Sequence, residues 1–216
     1  MTTALRGYYA IVDVNPDPVG IGGGAALVAR ARALLAARPC CLQLRAKGSD
    51  AAALCDGARL LLPVCRAAGV PFCVNDRLDV ALAVGADVVH LGQEDLPLAD
   101  AQAVLRSTGR TIVIGISTHN FEQACVAAAA GADYIAFGPV FGTASKENPD
   151  PIVGVEALAA VCRTVSVPVV AIGGITVDSV AAVAAAGASA AAVIAAVNKA
   201  ADPTTAARQV AAPFAG

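Results

Sequence analysis

A short phrase recurs along this chain, and its recurrence limits the fold more than any other feature. Ala83-Val84-Gly85-Ala86-Asp87 precedes Val88-Val89-His90-Leu91-Gly92, and Ala129-Ala130-Gly131-Ala132-Asp133 precedes Tyr134-Ile135-Ala136-Phe137-Gly138. Ala185-Ala186-Gly187-Ala188-Ser189 precedes Ala190 to Ile194, and Ala67-Ala68-Gly69-Val70 precedes Pro71-Phe72-Cys73-Val74. Each copy reads as a helix end, a glycine just beyond it, and a short apolar strand. The strands lack alternation, as parallel strands covered on both faces do. Extending the pattern predicts strands near 8–13, 40–45, 71–74, 87–91, 111–115, 133–137, 168–172 and 190–194. Helices are predicted near 24–37, 51–68, 78–84, 99–106, 120–130, 155–163, 177–186 and 204–211. Eight strand–helix alternations predict an α/β chain folded as a (β/α)8 TIM barrel, with residues 1–216 as one domain. A doubly wound open sheet is the alternative, but Gly22-Gly23-Gly24 comes late after the first strand and lacks dinucleotide-binding spacing.

Composition narrows the partners. A formal net charge of −2 gives no footprint for nucleic acid or an anionic membrane, so any anion site must be local. The longest apolar stretch, Ala181 to Val197, is Ala-rich, interrupted by Gly187 and Ser189, and unlike a membrane span. The N-terminus shows no basic segment followed by an apolar one, so the expected location is cytoplasmic. Seven cysteines without a Cys-x-x-Cys pair read as packing residues rather than as disulfides or a zinc site. Small-molecule substrates are the expected partners, and assembly into a homo-oligomer is left open.

In a barrel of this kind, chemistry collects just after the strands, on the C-terminal face. The polar residues lie there. On strand two, Gln43, Arg45 and Lys47 occupy alternate positions and share a face, offering an amide and two cations to an oxyanion such as diphosphate. Asn75 and Asp76 follow strand three, and Asp95 follows strand four. Two carboxylates on neighbouring strands suit Mg2+, which takes one or two carboxylates and completes its shell with water and phosphate oxygens. Asp76 could instead cap the next helix, and Arg77 could simply pair with a nearby carboxylate. Ser117 and His119 end strand five, and Thr143, Ser145 and Lys146 stand in a long loop, 138–151, suited to closing over a ligand. Gly173-Gly174-Ile175 follows strand seven, where backbone N–H groups can approach a phosphate. His90, inside a strand, reads as a satisfied core residue, and no nucleophile with its base is readable.

At these positions the chain resembles the thiamine phosphate synthase family over nearly its whole length. Six motifs stand in order: Gln43-Leu44-Arg45-Ala46-Lys47, Val74-Asn75-Asp76-Arg77, His90-Leu91-Gly92-Gln93-Glu94-Asp95-Leu96-Pro97, Gly115-Ile116-Ser117-Thr118-His119, Gly138 to Lys146, and Gly173-Gly174-Ile175. The resemblance implies a Mg2+-dependent transferase. It would join 4-amino-2-methyl-5-(hydroxymethyl)pyrimidine diphosphate to a thiazole phosphate, plain or carboxylated, giving thiamine phosphate and diphosphate. It also implies that Asp76 and Asp95 hold the metal, and that Gln43, Arg45, Lys47, Asn75 and Lys146 hold the pyrimidine diphosphate. Ser117, Lys146 and Arg45 would serve the reacting centre. Thr143, Ser145, Gly174, Ile194 and Ala195 would serve the thiazole phosphate.

Three positions depart from the family pattern. Ala46 replaces a common Glu, on the face turned away from the site; Ser145 replaces a Thr but keeps the hydroxyl; Ala195 replaces the phosphate-binding Ser. Thiazole tautomerases share much of the motif order, but they place a catalytic His where this chain has Pro139 and generally lack the aspartate at Asp95. A barrel that binds ligand without turnover, supported only by Ala195, is the alternative from another class. A sugar-phosphate isomerase would need a readable acid/base pair.

Overall fold

The computed structural model describes residues 5–14, 24–143 and 150–215. Eight parallel strands close in chain order into a barrel: β1 (Gly7–Asp13), β2 (Cys41–Arg45), β3 (Phe72–Asn75), β4 (Val88–Leu91), β5 (Val113–Thr118), β6 (Tyr134–Phe137), β7 (Val169–Ile172) and β8 (Ala190–Val193). The seam is β8 against β1, with Gly7 level with Ala190 and Tyr9 level with Ala192. Closure excludes the open-sheet alternative. The intervening helices are α1 (Gly24–Leu35), α2 (Ala51–Ala68), α3 (Leu78–Val84), α4 (Leu98–Thr108), α5 (Phe121–Ala129), α6 (Gly154–Thr164) and α7 (Val180–Ala185). After β8 come a one-turn helix α8 (Ala195–Asn198) and α9 (Pro203–Ala211).

The repeated phrase has a physical origin. Gly85 and Gly131 adopt left-handed φ of 72° and 86°, where a side chain would be strained, and they turn each helix back toward the barrel. The aspartate two residues later ties down the first or second N–H of the preceding strand. Asp87 accepts from Phe72 N at 2.9 Å, and Asp133 accepts from Ile114 N at 2.7 Å. Phrase and strand are therefore one unit, reused around the barrel.

Alternation along the strands separates two cores. Leu42, Leu44, Val74, Val89, Leu91, Ile135 and Phe137 face the helices. Tyr9, Ile11, Cys41, Cys73, Val88, Tyr134, Ala136, Val170, Ala190 and Ala192 fill the lumen. The two tyrosine rings, with centroids 6.1 Å apart, fill the lumen together with the small alanines of β8, of which Ala192 lies level with Tyr9. Gly115 completes this fit: a Cβ there would fall on the Tyr134 ring.

Three elements differ from the sequence expectation. β5 runs on to Thr118, because Ser117 and Thr118 pair with Ala136 and Phe137 of β6, so Ser117 is a strand residue rather than a loop residue. α7 begins later than expected, because Thr176 and Ser179 bond to each other (Thr176 N to Ser179 Oγ, 2.9 Å) and hold the chain in a turn. α8 was hidden in a continuous apolar run that reads as the end of a strand.

Candidate active site

The floor of the site is a chain of hydrogen bonds across the lumen. Gln43 Nε2 donates to Tyr9 Oη at 3.2 Å, and the two tyrosine hydroxyls lie 3.0 Å apart. Tyr134 Oη is 3.0 Å from His90 Nδ1, and His90 Nε2 is 2.9 Å from Ser117 Oγ. The backbone explains the convergence. Gln43 and His90 are lumen-facing positions on β2 and β4, and Ser117 is one on β5, each two residues from an apolar lumen residue or from Gly115. Burial lowers the His90 pKa to about 4, which keeps the imidazole neutral, and burial drives both tyrosines well above the usual phenol range. His90 is therefore buried and satisfied, as expected, and also bonded to a predicted site residue. Tyr9 and Tyr134 were missed; their one sequence signal is a phenol at alternate positions in otherwise aliphatic strands.

Above this floor lie the charged groups. Arg45 faces inward but is engaged: Nη1 bonds both carboxylate oxygens of Asp13 at 2.8 Å. β1 and β2 place Asp13 level with Arg45, so the pair follows from barrel register. Sequence reading overlooked Asp13, although it is the single charge closing an apolar strand. Lys47 Nζ lies 2.8 Å from Asp76 Oδ2. Asn75 is buried beside His90 on the neighbouring strand, and its side-chain amide has no hydrogen-bond partner among the described residues.

Asp76 sits at φ +64°, a left-handed position unusual for a residue with a side chain. It is held there by its N–H to His90 O at 2.7 Å. It does not cap α3, whose N-cap is Arg77 without a side-chain cap bond, so the capping alternative falls. Asp95 accepts from Gly92 N at 2.6 Å. Its pKa is raised, first by burial and then by the adjacent Asp76 carboxylate, against the lowering effects of the Gly92 N–H and Lys47. Two carboxylates this close repel each other when both are ionised, a repulsion that a divalent cation relieves. The donors are oxygens alone, a donor set that suits Mg2+. Among the described residues no group of three or more His, Cys, Asp or Glu converges.

The loop after β6 packs on the turn after β7. Val140 N donates to Ile172 O at 2.9 Å and Phe141 N to Gly173 O at 3.0 Å. Gly174, at φ +63°, lies so close beneath it that a Cβ would meet Phe141 at 2.8 Å. The glycine pair is thus required by close packing as well as by any anion. His119 fastens the loop from the other side, with Nδ1 2.8 Å from Gly138 O and 3.5 Å from Asp150. Thr143 is the last described residue before the segment that holds Ser145 and Lys146, and those two lie outside the described residues. Ile194 and Ala195 start α8 at the rim of β8. Arg77 is outside the site, bound to Asp79 through two bonds of 2.8 and 2.6 Å, as the sequence suggested.

With the lumen filled by side chains and Asp13, Arg45, Lys47, Asp76 and Asp95 gathered at the C-terminal mouth, the molecule belongs among the (β/α)8-barrel enzymes. A sequence profile described as thiamine monophosphate synthase matches residues 8–197. Thiamine-phosphate synthase from Anaeromyxobacter dehalogenans is 44% identical over 97% of this chain and 88% of its own length. That from Methanoregula boonei is 47% identical over 88% of this chain and 87% of its own. The solved thiamine phosphate pyrophosphorylase from Pyrococcus furiosus superposes with a TM-score of 0.83 at 32% identity, covering 99% of this chain and 96% of that one. A 3-hexulose-6-phosphate synthase, with a TM-score of 0.65 at 19% identity, shares the fold alone. The chain belongs to the thiamine monophosphate synthase family, and it is a transferase.

Proposed function

We propose that the chain condenses 4-amino-2-methyl-5-(hydroxymethyl)pyrimidine diphosphate with a thiazole phosphate to give thiamine phosphate and diphosphate. The observation that carries this reading is the Asp76–Asp95 carboxylate pair beside Lys47, above a neutral, hydrogen-bonded floor. Such a site neutralises a leaving diphosphate but offers no activated nucleophile, which suits departure of diphosphate before attack by the thiazole nitrogen. Mg2+ held by Asp76 and Asp95 would supply charge neutralisation at the diphosphate oxygens. Lys47 would add a point charge, and the Arg45 guanidinium, fixed by Asp13, would keep Nε and Nη2 for the same oxyanion. Gln43 and Asn75 would present amides to the pyrimidine, and Ser117 would address the reacting centre. Thr143, Ser145, Gly174, Ile194 and Ala195 would receive the thiazole phosphate, and Lys146 the departing diphosphate.

A cytoplasmic location accords with seven free thiols, and among the described residues no helix is long and apolar enough to cross a membrane. The reading is tested by offering purified protein both substrates, and the thiazole phosphate alone. Thiamine phosphate from the pair supports it; interconversion of thiazole isomers without condensation would identify a tautomerase instead, against Pro139 and Asp95. Binding without either reaction would indicate the non-catalytic barrel.

Two variants probe the phosphate contacts. Lys146→Ala is expected to lower turnover by about two orders of magnitude or more while the melting temperature holds; near-normal turnover would remove Lys146 from the site. Ala195→Ser restores a hydroxyl at the first residue of α8 and should lower the KM for thiazole phosphate about fivefold, the effect of one added hydrogen bond. An unchanged or higher KM would show that backbone N–H groups already satisfy that phosphate.

A further inference from the structure

The hydrogen-bond chain beneath the site has a direction, and that direction decides what Ser117 can offer a substrate. The Cys73 thiol donates to Val74 O at 3.6 Å, so its sulfur presents lone pairs to Gln43. Gln43 accordingly turns its NH2 group inward, one hydrogen toward Cys73 Sγ at 3.7 Å and the other toward Tyr9 Oη at 3.2 Å. Tyr9 Oη accepts that bond and has one proton of its own. Sulfur is a weak acceptor, so the proton goes to Tyr134 Oη, 3.0 Å away. Tyr134 then has a single proton left for His90 Nδ1, also at 3.0 Å. A neutral imidazole that accepts at Nδ1 carries its hydrogen on Nε2, and it donates to Ser117 Oγ at 2.9 Å. Among the described residues, the Ser117 hydroxyl hydrogen is the one proton in the series without a partner.

We propose that Tyr9, Tyr134 and His90 are positioning residues that preset Ser117 as a hydrogen-bond donor toward the mouth of the barrel. The inference rests on the condensation reading above in one respect: Ser117 must face the pyrimidine diphosphate. It then deepens that reading by naming the group addressed, a lone pair such as a diphosphate oxygen or a ring nitrogen, and not an amino hydrogen. Polarised chains of this kind strengthen each link, and preset donors need no reorganisation when charge develops on the leaving group. The opposite polarity, with the Gln43 carbonyl inward, would leave Ser117 donating to His90 and only accepting from a ligand.

The chain has two histidines, so nitrogen-15 imidazole spectra of the ligand-free protein can be assigned with a single His119→Gln variant. The expected spectrum shows His90 neutral with its hydrogen on Nε2. A hydrogen on Nδ1, or on both nitrogens, overturns the proposal regardless of activity. A second readout uses kinetics. Tyr134→Phe keeps the ring but removes the proton that fixes the tautomer. It should lower kcat about tenfold with KM for pyrimidine diphosphate nearly unchanged, the worth of one misdirected hydrogen bond. Combined with Ser117→Ala it should add no further loss, because both changes act through one hydroxyl. Additive losses would show that the Tyr134 hydroxyl acts other than through Ser117, and would also overturn the proposal. The spectrum needs no turnover, so failure of the condensation assay and failure of the hydrogen-bond polarity are distinguishable.

Discussion

Asp76→Asn should reduce turnover by roughly two to three orders of magnitude and leave the fold intact. The change removes one negative charge from the Asp76–Asp95 pair, where the cation and the diphosphate would meet. It is a cleaner change than alanine, because the backbone at this position has φ +64° and asparagine tolerates that region well. What remains of the Lys47 contact is minor for stability: the lysine side chain is 53% exposed, and exposed ion pairs contribute at most about 1 kcal/mol. For a chain of this length that is a melting shift of only about 2–4 °C. Initial rates at saturating substrates, with a thermal melt of the same sample, measure both. A folded Asp76→Asn protein with near-normal turnover would place the metal, or the chemistry, elsewhere.

Gly115→Ala is expected to damage stability and activity together. The added Cβ would fall on Cζ, Cε1 and Oη of Tyr134, whose ring crosses the lumen above the glycine. Overpacking a filled core costs about 1–3 kcal/mol, so the melting temperature should drop by several degrees. The larger consequence is local. A displaced Tyr134 cannot keep both of its 3.0 Å contacts, to Tyr9 and to His90 Nδ1, so Ser117 loses its fixed partner as well. Turnover of the folded fraction should therefore fall about tenfold or more. A melt and a rate both within error of the parent protein would mean that the Tyr134 ring has room to move, and that the lumen is less filled than its lining implies.

These two residues also show what a sequence discloses about such a site and what it conceals. The position of Asp76 at the barrel mouth was legible because the phrase Asn75-Asp76 directly closes a short apolar strand. Gln43 and Lys47 were legible from strand alternation, and Arg45 was correctly turned inward. Its engagement by Asp13 was not legible, because that contact depends on the register between β1 and β2 rather than on spacing along either strand. The lumen network lies further from reach. Tyr9 and Tyr134 are separated by 125 positions, and only closure of the barrel brings their hydroxyls together. Gly115 likewise reads as part of a Gly-x-Ser motif, while its physical cause is the Tyr134 ring in the next strand. The fold itself was written in the repeats, since a helix end, a glycine and a short apolar strand recur as a unit. The boundaries that moved did so where tertiary pairing overrode local pattern, at the end of β5, at the start of α7 and in α8.

Under the proposed function, the carboxylate pair at the mouth of this barrel would make thiamine phosphate with the help of a divalent cation. The most direct test of this reading is the initial rate of thiamine phosphate formation from pyrimidine diphosphate and thiazole phosphate, measured as Mg2+ is titrated into chelator-treated protein. No detectable product is expected without the metal, and a saturable rise is expected as it is added. Product forming at full rate in the presence of excess chelator, or no product at any Mg2+ concentration from folded protein, would contradict that reading.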